Sequence, residues 1–163
     1  MATGPNTDGM SAFSVDGRLE TDNGVSVLTH TSLDTTHIIA SVGDAGAGAT
    51  AVFIGTTRDS FKGKVVTRLD YQAYTKLALK TMDDILAATR RSIPVLHTAV
   101  YHRLGTVPVG EPSIVIAVSS PHRKEAFDAC EMVLEDVKAR AQIWKREFYE
   151  DEPDDAAEWK ENH

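Results

Sequence analysis

The spacing of apolar side chains along the chain changes period several times, and each change marks an element. The run VSVL (25–28) predicts a short strand. The stretch SLDTTHIIASVGDAGAG then offers Ser32 as a helix cap, Ile38, Ile39 and Val42 at helical offsets, and Gly43 as a stop. THIIASV is also short and β-branched enough for a strand, and the helix is preferred. ATAVFIGTTR (49–58) reads as a buried strand. KVVTRLDYQ (64–72) reads as another, alternating Val65, Thr67, Leu69 and Tyr71 against Val66, Arg68 and Asp70, with DSFKGK as a glycine-containing loop between the two. From Tyr74 to Arg91 the side chains Ala78, Met82, Ile85, Leu86 and Thr89 line one helical face, and Pro94 forbids continuation. VLHTAVYHRLG (95–105) returns to strand and TVPVGEP is turn-rich. SIVIAVSS (113–120) is a continuous apolar run of the kind that fills the middle of a sheet.

A long helix follows. Ser120 is placed to cap it and Pro121 sits where a first-turn proline is tolerated. Ala126, Cys130, Val133, Leu134, Val137 and Ala141 then form an inward stripe. Cys130 lies within that stripe, so it reads as a buried structural thiol and not as a nucleophile. After it, QIW is β-branched and aromatic, which suits an extended exit.

With 163 residues, 42% hydrophobic and 25% charged, the chain suits one globular domain. No apolar run approaches the roughly 20 residues that span a bilayer, and the first residues have neither a signal core nor the basic bias of a transit peptide. One cysteine excludes an internal disulfide framework, and the expected address is the cytosol. The net charge of -7 is uneven. Residues 148–163 carry seven carboxylates against Lys160, a net of -6, which leaves -1 for the rest of the chain. Residues 150–163 therefore read most simply as a solvated acidic tail, with a regulatory cover over the basic stretch as the lesser alternative, and the Gly-, Ser- and Asp-rich residues 1–23 as a flexible lead-in. The scattered histidines have no metal-ligand spacing, and P-loop, GxGxxG and GxSxG patterns are absent from the sequence. A near-neutral body with 7% aromatics argues against nucleic-acid binding.

Three groups of cations stand out. His122, Arg123 and Lys124 fall in the first turn of the long helix, where the dipole already places positive charge; they make either an anion site or three solvated cations. KARAQIWKRE (138–147) gathers Lys138, Arg140, Lys145 and Arg146 around Ile143 and Trp144. Spacing alone fits a plain helix C-terminus at least as well as a site. Arg58 ends the FIGTTR strand beside a loop, where sites are often built.

Taken together and in order, FIGTTR (53–58), YHRLGTVPVGE (101–111), SSPHRKEAF (119–127) and KARAQIWKRE (138–147) closely resemble the MoaE family, the large subunits of molybdopterin synthase. The resemblance covers roughly residues 25–149 and marks 24–149 as the MoaE-like domain. It implies an α/β hammerhead: an antiparallel sheet with packed helices and an extra β subdomain. It also implies an enzyme of molybdenum-cofactor biosynthesis that transfers two sulfurs to cyclic pyranopterin monophosphate, making molybdopterin. The donor would be a small ubiquitin-like, MoaD-type carrier with a C-terminal thiocarboxylate. A homodimer would form the core of a heterotetramer, with no nucleic acid, no membrane, no metal and no cofactor held by this chain.

The matching positions imply Lys138 and Lys145 as catalytic lysines. They imply Arg58, His122 and Arg123 as contacts to the anionic substrate, with Thr56 and Thr57 beside them. Arg140, Arg146 and Glu147 complete the implied site. Opening a cyclic phosphate and replacing oxygen by sulfur call for charge stabilisation and proton transfer, which a lysine among other cations can supply. Two positions depart from the pattern: Thr57 stands where the family commonly has Val, and Gln142 where it commonly has Pro, which relaxes the restriction on Ala141. A non-catalytic anion- or nucleotide-binding or scaffolding module is the competing reading.

Overall fold

The computed structural model describes residues 11–162 as two five-stranded sheets and three α-helices. The first sheet has the order β1 (Gly17–Thr21), β2 (Gly24–Thr29), β6 (His97–Arg103), β8 (Pro112–Ser120), β3 (Ala49–Thr56). Its pairs are antiparallel except β2 with β6. The second sheet is antiparallel throughout. It runs β10 (Lys160–Glu161), β9 (Ile143–Tyr149), β5 (Lys64–Ala73), β4 (Ser60–Phe61), and β7 (Gly105–Pro108) also pairs with β5. This smaller sheet is the extra β subdomain of the expected fold class.

Both faces of the first sheet are covered, which explains the unbroken apolar run of β8. Ile114, Ile116 and Val118 face a core built with α2 (Thr75–Ser92) and α3 (Arg123–Arg140). Val115 and Ala117 face Ile38 and Val42 around α1 (Thr35–Ser41). In α2 the predicted stripe Ala78, Met82, Ile85, Leu86 and Thr89 is buried. In α3, Ala126, Cys130, Val133 and Val137 are buried. Burial pushes the Cys130 thiol up to about 11, against a weaker hydrogen bond at Phe53, so it is a packing residue.

Several boundaries differ from the sequence reading. Asp34, not Ser32, caps α1 by accepting from the His37 amide at 3.1 Å. His122, not Ser120, is the N-cap of α3; Ser120 instead uses its hydroxyl to hold the turn through the His122 backbone. β3 is an edge strand of alternating exposure and not a buried one. In β5 the register shifts between Val66 and Arg68, so Val66 is buried while Val65 and Thr67 are exposed. The expected DSFKGK loop contains β4 and a tight hairpin turn, in which Lys62 (φ 50°) and Gly63 (φ 78°) both take the positive φ that suits a two-residue connection.

The lead-in and the tail are the larger corrections. Residues 1–10 and 163 lie outside the described residues, but Gly17–Thr21 is a strand paired with β2. Upstream, the Ser14 hydroxyl accepts from the Ala73 amide at 3.0 Å and Thr75 Oγ1 donates to the Val15 carbonyl at 2.6 Å. A free sheet edge and the open start of α2 provide the partners that the local sequence does not reveal. At the other end Lys160–Glu161 pairs with β9, and Asn162 is buried.

Candidate active site

Where β3 runs out, the last turn of α3 and strand β9 come beside it. Arg58 follows β3, Lys138 follows the buried Val137 on α3, and Lys145 projects from β9. Together with Thr56 and Glu147 they line one open cleft of about 440 Å³, whose other walls include Phe53, Phe61, Tyr71 and Asn162. Its size and mixed lining suit a small anionic ligand.

Glu147 organises the cations. It is only 9% exposed, and its Oε1 lies 3.2 Å from Lys160 Nζ and 3.9 Å from Lys145 Nζ. Its Oε2 accepts the Tyr149 hydroxyl. Burial alone would raise the Glu147 pKa, but the hydrogen bonds from Tyr149 and Lys160 and the charges of Lys160 and Lys145 outweigh it and hold the carboxyl below its usual range. For Lys145 the balance runs the other way. Burial, then the charges of Lys138, Lys160 and Arg58, overcome the attraction of Glu147 and push the amine below an ordinary lysine. A lysine so placed delivers or accepts a proton nearer neutral pH.

Behind Lys138 lies His102, fully buried. Its Nδ1 is 2.8 Å from the Arg103 carbonyl, to which it donates, leaving Nε2 to accept from the Asn162 amide at 3.2 Å. Burial, with the Lys138 charge adding to it, lowers the ring to about 4 despite the Arg103 bond, so it is a neutral support for the site.

Five of the expected site residues lie elsewhere. Thr57 is buried, with its hydroxyl turned to the Val107 carbonyl at 3.5 Å, and serves the strand end. Arg140 is exposed and outside the cleft, because two residues along a helix from Lys138 is more than half a turn around it. Arg146 faces away from Lys145, since neighbouring strand residues point to opposite sides. Its guanidinium stands 3.4 Å from Asp70 and 4.6 Å from the Trp159 ring centroid. His122 and Arg123 share a separate cleft with Gly48, Pro121, Lys124 and Glu125. Arg123 and Lys138 are at opposite ends of α3, about 22 Å apart along its axis.

Sequence reading missed Phe61, Tyr71, Lys160 and Asn162 as site neighbours. For the last two a signal existed: Trp159, a single large apolar side chain in an otherwise acidic tail, marks a point of docking. Among the described residues, no group of three or more His, Cys, Asp or Glu is placed to hold a metal ion, and no helix is long and apolar enough to cross a membrane.

The family model described as "MoaE protein" matches residues 28–140. The molybdopterin synthase catalytic subunits of Drosophila willistoni and Drosophila erecta are 49% and 50% identical over 136 residues, 83% of this chain. The chain spans 36% of the length of each of these relatives. Among solved structures, molybdopterin synthase from Staphylococcus aureus superposes with a TM-score of 0.75 at 31% identity, over 82% of this chain and 94% of that one. The fold, the family model and the relatives agree: the chain belongs to the MoaE family.

Proposed function

We propose that the chain is the catalytic large subunit of a cytosolic molybdopterin synthase. It would transfer sulfur from a thiocarboxylated, MoaD-type carrier to cyclic pyranopterin monophosphate, yielding molybdopterin. The observation that carries this reading is the convergence of Arg58, Lys138 and Lys145 with buried Glu147 in a single cleft. Arg58 and Lys138 offer positive charge to a phosphate and to oxygens that become anionic as sulfur replaces them, while Lys145 is suited to move the proton. A module that only bound anions would gain nothing from a lysine whose protonation is opposed by burial and by neighbouring cations.

His122 and Arg123 sit too far along α3 to share one small substrate with Lys138 of the same chain. Their role in substrate binding therefore requires a second copy of the chain, in keeping with a homodimeric core flanked by two carriers. The reaction is tested by mixing the purified protein with cyclic pyranopterin monophosphate and a thiocarboxylated small subunit and measuring dithiolene product. Product formation is expected; none, where a Staphylococcus aureus-type large subunit succeeds under the same conditions, refutes the enzymatic reading.

A further inference from the structure

The tail that reads as solvated carries one cation, Lys160, and the fold brings it to the candidate active site. Strand β10 pairs with β9 so that Lys160 is directly opposite Lys145. Like charges placed opposite each other across two strands are unfavourable unless an anion lies between them. Glu147 is that anion, and its Oε1 is nearer to Lys160, at 3.2 Å, than to Lys145, at 3.9 Å.

We infer that Lys160 is a positioning residue for Lys145: it draws the Glu147 carboxylate to itself and adds its own positive charge to those of Lys138 and Arg58 against the Lys145 ammonium. This deepens the proposed function and rests on it only for the use to which Lys145 is put. Lys145 is 18% exposed. The groups facing it are Glu147 on its own strand, Lys138 on α3, Arg58 after β3, Lys160 on β10 and its cross-strand neighbour Tyr71 on β5. Only Glu147 favours the ammonium, and Lys160 both competes for that carboxylate and repels the charge directly. Asn162, two residues on, fixes the strand end through His102, so the Lys160 backbone is held on both sides. A lysine serving only to fasten the tail would act equally well opposite any residue.

The test measures the Lys145 amine itself, in the full-length chain, by trace acetylation with acetic anhydride across pH and mass spectrometry of the Lys145 peptide. In the wild type the labelling midpoint should fall below that of an ordinary lysine. Lys160→Gln should raise it by about half a pH unit, or roughly threefold less free amine at a given pH below the midpoint. Lys160→Arg, which keeps the charge, should restore the wild-type midpoint. An unchanged midpoint in Lys160→Gln, or an Arg variant that behaves like the Gln variant, overturns the inference. In the synthase assay the lysine-dependent limb of the kcat profile should move upward with Lys160→Gln. Labelling needs neither substrate nor carrier, so a shifted midpoint without any turnover would sustain the Lys160 relationship while refuting the proposed function.

Discussion

Asn162 Nδ2 lies 3.2 Å from His102 Nε2, so the acidic tail closes on a fully buried imidazole. Folding holds that ring neutral down to about 4, against an ordinary 6.5. Between those values the unfolded chain binds a proton that the native chain does not, so stability falls as pH drops through the window and is unaffected by this group above it. The expected loss is on the order of 3 kcal/mol when the window has been crossed. His102→Gln should flatten this part of the stability curve in urea titrations between pH 7 and 4. An equally steep curve would show that other groups carry the acid sensitivity.

Lys138 and Lys145 share a cleft but differ in surroundings, and their replacements should differ too. Lys138→Ala should abolish turnover with the melting temperature and carrier binding retained, because the side chain is half-buried at a cleft wall and not in the core. Lys145→Ala should reduce kcat by about a hundredfold or more, the usual range for losing a proton-transfer group. Full activity in the first variant would remove Lys138 from the chemistry.

The helices and β8 were legible because their burial follows from their own period. The α2 stripe needs one apolar face, and the unbroken run of β8 needs cover on both. The β5 faces were misread because a register shift at Thr67 is invisible to a strict alternation. The tail was misread for a different reason. Seven carboxylates in its composition outweigh Trp159 and Lys160, although the partners of those two, Arg146 and Glu147, lie on β9. Two of the four motifs, FIGTTR and KARAQIWKRE, hold the cleft residues Thr56, Arg58, Lys138, Lys145 and Glu147. A linear motif does not separate neighbours in sequence that face apart in space, and Thr57, Arg140 and Arg146 lie close to cleft residues along the chain while facing away from them.

Arg146 and Arg58 offer a direct contrast. Arg146→Ala removes the Asp70 pair and the Trp159 stacking, and should lower stability by about 1–2 kcal/mol while leaving the substrate KM unchanged. Arg58→Ala should do the reverse, raising KM at nearly constant melting temperature, since Arg58 is exposed at the cleft. A raised KM in the Arg146 variant would place that residue in the substrate path.

Cys130 should be silent in the folded protein. With its thiol raised to about 11 and its side chain buried, iodoacetamide at pH 8 should leave it unmodified for as long as the protein is folded and label it fully in denaturant. Rapid native alkylation with parallel loss of activity would overturn its assignment as a packing residue.

Gln142 links the two lysine-bearing elements, and the residue before it already has the conformation that a proline at 142 would impose. Ala141 has φ -71° and ψ 141°, the extended conformation required of a residue that precedes proline. The Gln142 carbonyl accepts from the Tyr74 amide at 3.1 Å, a bond that proline keeps. Its side-chain oxygen accepts from Thr81 Oγ1 at 3.0 Å, which proline loses at a cost of about 1 kcal/mol. A stiffer unfolded chain offsets this by about 0.4–1 kcal/mol. Gln142→Pro should therefore move the melting temperature by no more than about 4 °C and leave turnover intact. A large loss of turnover would mean that the path from Lys138 to Lys145 is set by the Thr81 contact and not by the extended backbone at Ala141.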